Sequence, residues 1–498
     1  MALAVGSLQT SNQSYNPAPM NTPTFFWHDY ETFGTDPQRD RVCQFAGIRT
    51  DAEFNPIAEP IISYCAPSPD YLPHPEACLI TGITPQVARQ HGVCEAEFTG
   101  IIHEQFAQPE TCALGYNSIR FDDEVSRNLL YRNFYDPYAR EWQNNNSRWD
   151  LIDIVRAARA LRPEGIAWPL DEAGVASFRL EALSKANHIA HEAAHDALSD
   201  VYATIAIAKL IKQRQPKLFN YLFAQRSKTA AQQLLQVGSY TPLVHISGRF
   251  PARKHCLAII LPLCRHPTNA NEVVVFDLAA DPTALLELSA AETQQRVFTA
   301  SSDLAEGIER IPLKTVHINK CPVLAPLSVI RPADAERLEL DIPVCLRHAE
   351  QLRATTDLES KLAAVFKREY ADSPSDPDLM IYSGGFFSSR DKNTLSRIRS
   401  LSPQQLKTFN GGFDDPRLAE MLFRYRGRNF PETLSTAELA DWQGFCFERL
   451  HQPPDTRYLN FDEYFSKIQA LQADPANSNG VLSQLQEYGV ALQKHCAA

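Results

Sequence analysis

Residues 24–34 read TFFWHDYETFG, and this stretch decides how the rest of the chain is understood. Its aromatic and β-branched residues predict a strand. A strand alternates faces, so Asp29 and Glu31 point the same way near its end. Two like charges side by side are costly unless a cation sits between them. Hard divalent ions such as Mg²⁺ take carboxylate oxygens, which makes the pair a candidate metal seat. Alone, Asp-x-Glu is a weak signal, because such pairs commonly occupy solvated strand faces.

Working outward, strands are expected in VCQFAGIRTD (42–51), IISYC (61–65) and TCALGYN (111–117). Helical spacing follows in EVSRNLLYRNF (124–134), in WDLIDIVRAARAL (149–161) and in AHDALSDVYATIAIAKLIKQRQ (194–215). Strands first and then alternation with helices predict an α/β domain with a mixed sheet over 24–215. Residues 1–23 are polar, contain Pro and Asn, and are expected to form a disordered leader. PLVHISG, HCLAIILPL, EVVVFDL and KTVHINKCPVL predict a β-containing domain over 216–370, with a helix-like AERLEL after them. The Pro- and Asp-rich ADSPSDPD (371–378) marks a linker, and 371–498 has helical period throughout. The length of 498 residues suits three domains at ~150 each.

Hydrophobic residues make up 44% and charged residues 21%, which excludes collagen-like, coiled-coil and broadly disordered chains. Eleven cysteines without a CxxC pair argue against a disulfide framework or Cys-rich zinc module and suit a reducing cytoplasm. The N-terminus lacks signal-peptide character, and no apolar run approaches the ~18 residues that cross a bilayer. A cytoplasmic monomer is expected. The net charge of −11 excludes a uniformly basic nucleic-acid coat. Its distribution is uneven, however. Residues 201–271 contain no Asp or Glu but ten Lys or Arg, Arg253 and Lys254 among them, and part of this block is expected to face nucleic acid. A second stretch, 381–430, mixes nine basic residues with aromatics such as Phe386 and Phe387. That mixture suits single strands, yet for this helical stretch solvated faces and core aromatics are the favoured explanation.

Three further residues raise the weight of Asp29 and Glu31. In GYNSIRFDDE (115–124) a turn leads to Asp122 at the start of a helix, with Asp123 beside it as an alternative ligand. His195 lies near the start of the 194–215 helix, and Asp200 follows where apolar residues would be expected, a costly place for an unpaired carboxylate. Four carboxylates and a histidine supply what a two-metal phosphodiesterase needs. His191-Glu192-Ala193-Ala194-His195 also satisfies the H-E-x-x-H zinc-protease pattern. No third Glu ligand follows nearby, since the next is Glu272, so that reading is set aside and His188 and His191 are taken as loop residues.

HDYETFG, ITGIT (80–84), NSIRFDD and HDALSD resemble the DEDD superfamily of 3′→5′ exonucleases, histidine subtype. YNSIRFDDE, RNFYDPYA, NSRWDL, LRPEGI, SFRLE, VHINKCPVLA and FRYRGRNFP make the chain similar to the bacterial exodeoxyribonuclease I family from about Phe25 onward. The resemblance implies a ribonuclease H-like exonuclease domain, an SH3-like domain and a C-terminal helical domain. It places metal ligands on Asp29, Glu31, Asp122 and Asp200, with two Mg²⁺ ions and Mn²⁺ as a substitute, and a general base on His195. It further implies substrate contacts at Glu31, Arg179, Arg127, Tyr138, Trp142 and Arg156. The implied reaction is 3′→5′ digestion of single-stranded DNA to nucleoside 5′-monophosphates, in DNA repair and recombination. The implied partner is the acidic C-terminal tail of single-stranded-DNA-binding protein, with Arg162, Tyr221 and Arg331 as candidate receptors. RNA trimming, proofreading and a catalytically silent single-strand binder are the rival readings.

Overall fold

The computed structural model describes residues 23–191, 196–367, 374–409, 411–477 and 480–497. β1 (Thr24–Thr32) is the middle strand of a five-stranded mixed sheet with β2 (Val42–Thr50), β3 (Ile61–Tyr64), β4 (Thr111–Gly115) and β5 (Ser147–Asp150), in the order β3-β2-β1-β4-β5. β2 is antiparallel to β1 and to β3, whereas β4 runs parallel to both β1 and β5. Both faces of β1 are covered, which explains its uninterrupted apolar run Phe25–Trp27. Phe25 and Trp27 join Ala46, Ile48 and the buried residues Val201, Ile205 and Ala208 of the Ala197–Arg214 helix. Phe26 and Tyr30 pack with Phe45, Phe98 and Phe106 on the opposite side.

Pairing of β1 with β4 stops at Trp27↔Leu114, while pairing with β2 continues through Asp29↔Ala46 and Glu31↔Gln44. Asp29 and Glu31 therefore stand just past the carboxyl end of β4, where ligands bind in open α/β sheets. Gly115 permits this arrangement, because a Cβ there would lie 2.6 Å from the His28 carbonyl oxygen. One boundary differs from expectation. Trp149 and Asp150 belong to β5, and the helix begins at Leu151, with Asp150 capping it by accepting from the Ile152 N–H at 3.1 Å.

The second domain carries an antiparallel sheet of β6 (Leu243–Ile246), β7 (Leu257–Arg265), β8 (Glu272–Asp277), β9 (Leu313–His317) and β10 (Val323–Pro326), in the order β10-β6-β7-β8-β9. KTVHINKCPVL is thus two strands, and the helices Ile342–Ala354 and Leu358–Val365 make this region more helical than its sequence suggested. Beyond Pro377 the described residues contain helices and no strand. Buried charges join the first and third domains. Arg428 Nη2 donates to Asp70 at 2.8 Å and to Asp378 at 2.6 Å, and Arg132 pairs with Glu95 at 3.0 Å nearby. Among the described residues, no helix is long and apolar enough to cross a membrane.

Candidate active site and nucleic-acid cleft

Carboxylate oxygens of Asp29, Glu31 and Asp200 lie within 4.8 Å of one another. Strand alternation brings the first two together. The third arrives because the Ala197–Arg214 helix lies across β1 and β2 with its first turn over their ends. Asp196 caps that helix by accepting from the Ser199 N–H at 3.1 Å, which adds a further acid beside the group. Asp122, the first residue of its helix, accepts from the Tyr30 N–H at 3.2 Å and so binds to the edge of β1 that β4 leaves open. Asp123 turns elsewhere. It pairs with Arg140 and Arg148, each at 2.5 Å, and these guanidiniums hold its carboxyl far below the usual range despite burial.

The cluster is electrostatically frustrated. Burial, followed by repulsion from Asp200 and Asp122, pushes Glu31 up to about 8. Burial and the Asp123 charge raise Asp122 to about 8, and burial with the Asp122, Glu31 and Asp200 charges raises Asp29 well above the carboxylate range. Oxygen-only donors that cannot all ionise together fit a hard divalent cation, which would relieve the repulsion. His195 and residues 192–194 lie outside the described residues, so the geometry of the general base and of most of the H-E-x-x-H segment is not described. His188 is an exposed residue in the left-handed region. His191, expected to be a bystander in a loop, is in a loop but meets Asp200 at 2.5 Å.

A cleft of about 1230 Å³ is lined by all three domains. Arg127, Tyr138, Trp142 and Arg148 come from the first, Lys228, His317 and Lys320 from the second, and Tyr382 and Phe386 from the third. Arg127 is buried and held by Glu141 at 2.8 and 3.0 Å and by Glu124 at 2.8 Å, whereas Trp142 is 64% exposed. Glu124 also meets Lys320 at 3.4 Å and accepts from Tyr382, bracing the three domains at one wall. Arg156 and Arg179 are not among the residues lining this cleft. Arg156 pairs with Asp153 at 2.6 Å and lies over the Phe178 ring, one residue from the exposed Arg179. The Phe178 carbonyl accepts from Tyr116 OH at 2.6 Å, which ties this pair to the turn preceding Asp122.

From the acid-free block, Arg226 and Lys228 line the cleft. Arg253 and Lys254 are exposed on a short turn and do not, and Lys212 turns to Glu53 at 2.9 Å. Arg162 and Arg331 converge on Asp334, at 3.4 and 2.6 Å, and Tyr221 donates to the Leu324 carbonyl on the neighbouring strand β10. Sequence reasoning missed Asp196, His191 and the Glu124 brace. Asp196 carried a local signal, as an acid just before a helix, and His191 stood in the H-E-x-x-H pattern that was set aside.

Three family models match the chain in order: "Exonuclease" over residues 26–208, "Exonuclease I SH3-like domain" over 226–368 and "Exonuclease I C-terminal domain" over 375–492. Exodeoxyribonuclease I of Haemophilus influenzae is 46% identical over 470 residues, covering 94% of this chain and 98% of that protein. The chain belongs to the exodeoxyribonuclease I family. Its first domain is accordingly the family's exonuclease domain, its second the SH3-like domain and its third the C-terminal domain. Exonuclease I of Methylocaldum szegediense superposes with a TM-score of 0.90 at 51% identity, over 95% of this chain and 100% of that one. Escherichia coli exonuclease I in complex with a dA16 oligonucleotide matches at a TM-score of 0.90 and 47% identity, again over 95% and 100%. The same coverage holds for a zinc-bound E. coli complex with single-stranded DNA (0.90, 47%) and for an SSB/exonuclease I structure in complex with the inhibitor CFAM (0.85, 46%).

Proposed function

We propose that this chain is a divalent-metal-dependent exonuclease that digests single-stranded DNA from its 3′ end and releases nucleoside 5′-monophosphates. The observation that carries this reading is the partly buried cluster of Asp29, Glu31 and Asp200, with Asp122 hydrogen-bonded to the same strand. Family membership and the oligonucleotide complexes of the E. coli relative support the substrate.

Asp29, Glu31, Asp122 and Asp200 would hold the metal, with Mg²⁺ proposed as the resident ion. Bound there, divalent ions supply Lewis acidity toward the phosphate and its leaving oxygen. His195 accepts the proton of the attacking water, whose oxygen bonds to phosphorus as the bond to the 3′ oxygen breaks. The cleft walls at Tyr138 and Trp142 orient the strand, and Arg156 and Arg179 contribute charge beside the turn that leads to Asp122. Arg127 acts through Glu141 and Glu124, which it fixes on the cleft wall. The arginine cluster around Asp334, together with Tyr221, is proposed to receive the acidic tail of single-stranded-DNA-binding protein, as charge-assisted recognition of a carboxylate requires. A cytoplasmic role in DNA repair and recombination follows from that substrate and partner.

Asp200→Ala tests the assignment. It is expected to abolish hydrolysis while single-strand binding, measured by fluorescence anisotropy in EDTA, stays largely intact. Most affinity comes from phosphate and base contacts elsewhere. Near-normal turnover by this variant with saturating Mg²⁺ would refute the metal-ligand role.

A further inference from the structure

The helix Asp122–Arg132 begins at a proposed metal ligand, yet no side chain caps its first turn. An uncapped helix end leaves N–H groups without partners and frays, which would let the Asp122 carboxyl wander. Asp122 is tied to β1 by the Tyr30 N–H at 3.2 Å, a contact at the long end of the normal range. The next two residues supply what the cap does not. Asp123 is gripped by Arg140 and Arg148, each at 2.5 Å. Glu124 accepts from Arg127 at 2.8 Å and meets Lys320 at 3.4 Å.

Arg148 reaches beyond its own domain. It stands on β5 and is 5% exposed. Its Nη1 donates to Asp123, its Nη2 donates to the Asn319 carbonyl at 2.7 Å, and its Nε faces Glu141 at 3.3 Å. Glu141 in turn accepts from Arg127, so a ring of buried charges closes between Asp123 and Glu124. Asn319 lies in the turn between β9 and β10 of the SH3-like domain. The same turn holds Arg148 from behind, because the Cys321 thiol donates to the Arg148 carbonyl at 3.2 Å. Burial pushes that thiol up to about 12, which keeps its proton in place. Residues 319–321 of the second domain thus act on both residues that follow Asp122. Arg148 lines the cleft, but with all three guanidinium nitrogens engaged it serves as a bracket.

We propose that Arg148 is a positioning residue for Asp122, through which the 319–321 turn of the SH3-like domain sets the affinity of the exonuclease site for its divalent cation. This rests on the reading that the carboxylate cluster seats such a cation. Partners behind metal ligands commonly carry a 10- to 100-fold share of metal affinity, which is the size of effect expected here.

The test measures Mn²⁺ binding to the full chain without DNA, by electron paramagnetic resonance of the free ion. Arg148→Met and Asp123→Asn are expected to raise the Kd about 10- to 100-fold. Arg148→Lys should raise it less, since one ammonium can meet Asp123 but cannot also span to the Asn319 carbonyl. Lys320→Met, at a partly exposed position that tolerates replacement, should move the Kd the same way by a smaller factor. The Mg²⁺ concentration for half-maximal kcat should rise in parallel and kcat at saturating Mg²⁺ should recover, whereas oligo(dT) affinity in EDTA stays unchanged. General loss of structure would instead lower kcat and DNA affinity together, and urea unfolding in EDTA identifies any variant that does not fold. If the wild type binds no Mn²⁺, the metal seat falls and takes this inference with it. If the wild type binds and Arg148→Lys and Lys320→Met bind equally well, the inference alone is overturned. Weaker oligo(dT) binding by the Arg148 variants at unchanged Mn²⁺ affinity would make Arg148 a strand contact and overturn it as well.

Discussion

Glu31→Gln should make the metal-free protein more stable and at the same time less able to gain from metal. Glu31 is 8% exposed, and burial together with Asp200 and Asp122 lifts its carboxyl from an ordinary 4.5 to about 8. Between those values the folded state holds a proton that the unfolded state releases, so stability falls as pH rises from about 4.5 to about 8. At neutral pH the penalty is roughly 3 kcal/mol, from ~1.36 kcal/mol per unit over the part of the window already crossed. Glutamine does not titrate and should recover about that amount in EDTA. A divalent cation at ~100 times its Kd should add about 2.7 kcal/mol to the wild type by mass action, and clearly less to the variant. Urea unfolding followed by tryptophan fluorescence reads both effects, since Trp27 and Trp149 are buried in the core beside the site. A variant no more stable than wild type in EDTA, or equally stabilised by the cation, would refute the picture of a frustrated metal seat.

Arg428→Leu would leave Asp70 and Asp378 buried without their shared cation, and should cost about 3–5 kcal/mol in urea unfolding. The same network sets the acid limb of wild-type stability. Burial alone would raise Glu95, but Arg132 and Arg41 hold it at about 2, so its contribution is complete above about pH 4.5 and is lost as pH falls through about 2. Thermal melts from pH 5 downward, at ~1 unit steps, should fall most steeply in that window. Lys228→Glu should lower the salt slope of single-strand binding by about 0.7, whereas Arg253→Glu and Lys254→Glu should leave it unchanged, because only Lys228 lines the cleft. Equal slopes for all three variants would count against the cleft as the DNA path.

The site was legible wherever the chemistry was local. Asp29 and Glu31 announced themselves through strand period, and Asp200 through a charge on an apolar helix face. The fate of Asp123 was not legible, since its partners Arg140 and Arg148 lie 17 and 25 residues away and meet it only in the folded core. β5 was hidden because Trp149 and Asp150 run directly into a helix without a turn residue between them. The 314–324 run holds two strands parted by a short turn over 318–322, where Asn319 and Pro322 did signal a break that the reading of one β run passed over. Charge runs were the least informative part. Lys212 and Lys228 belong to one acid-free block, yet the first answers Glu53 and the second lines the cleft. Composition gave no means of separating them, or of telling the exposed Phe386 from the packed Phe387.

Digestion of 5′-end-labelled single-stranded DNA by the wild-type chain with Mg²⁺, read by gel and by mass analysis of the small products, is the most direct measurement. Progressive shortening from the 3′ end, with the label retained on the shrinking strand and nucleoside 5′-monophosphates released, is the predicted result. An intact strand, internal cuts, or early release of the label as a mononucleotide would contradict a 3′→5′ exonuclease built on Asp29, Glu31, Asp122 and Asp200.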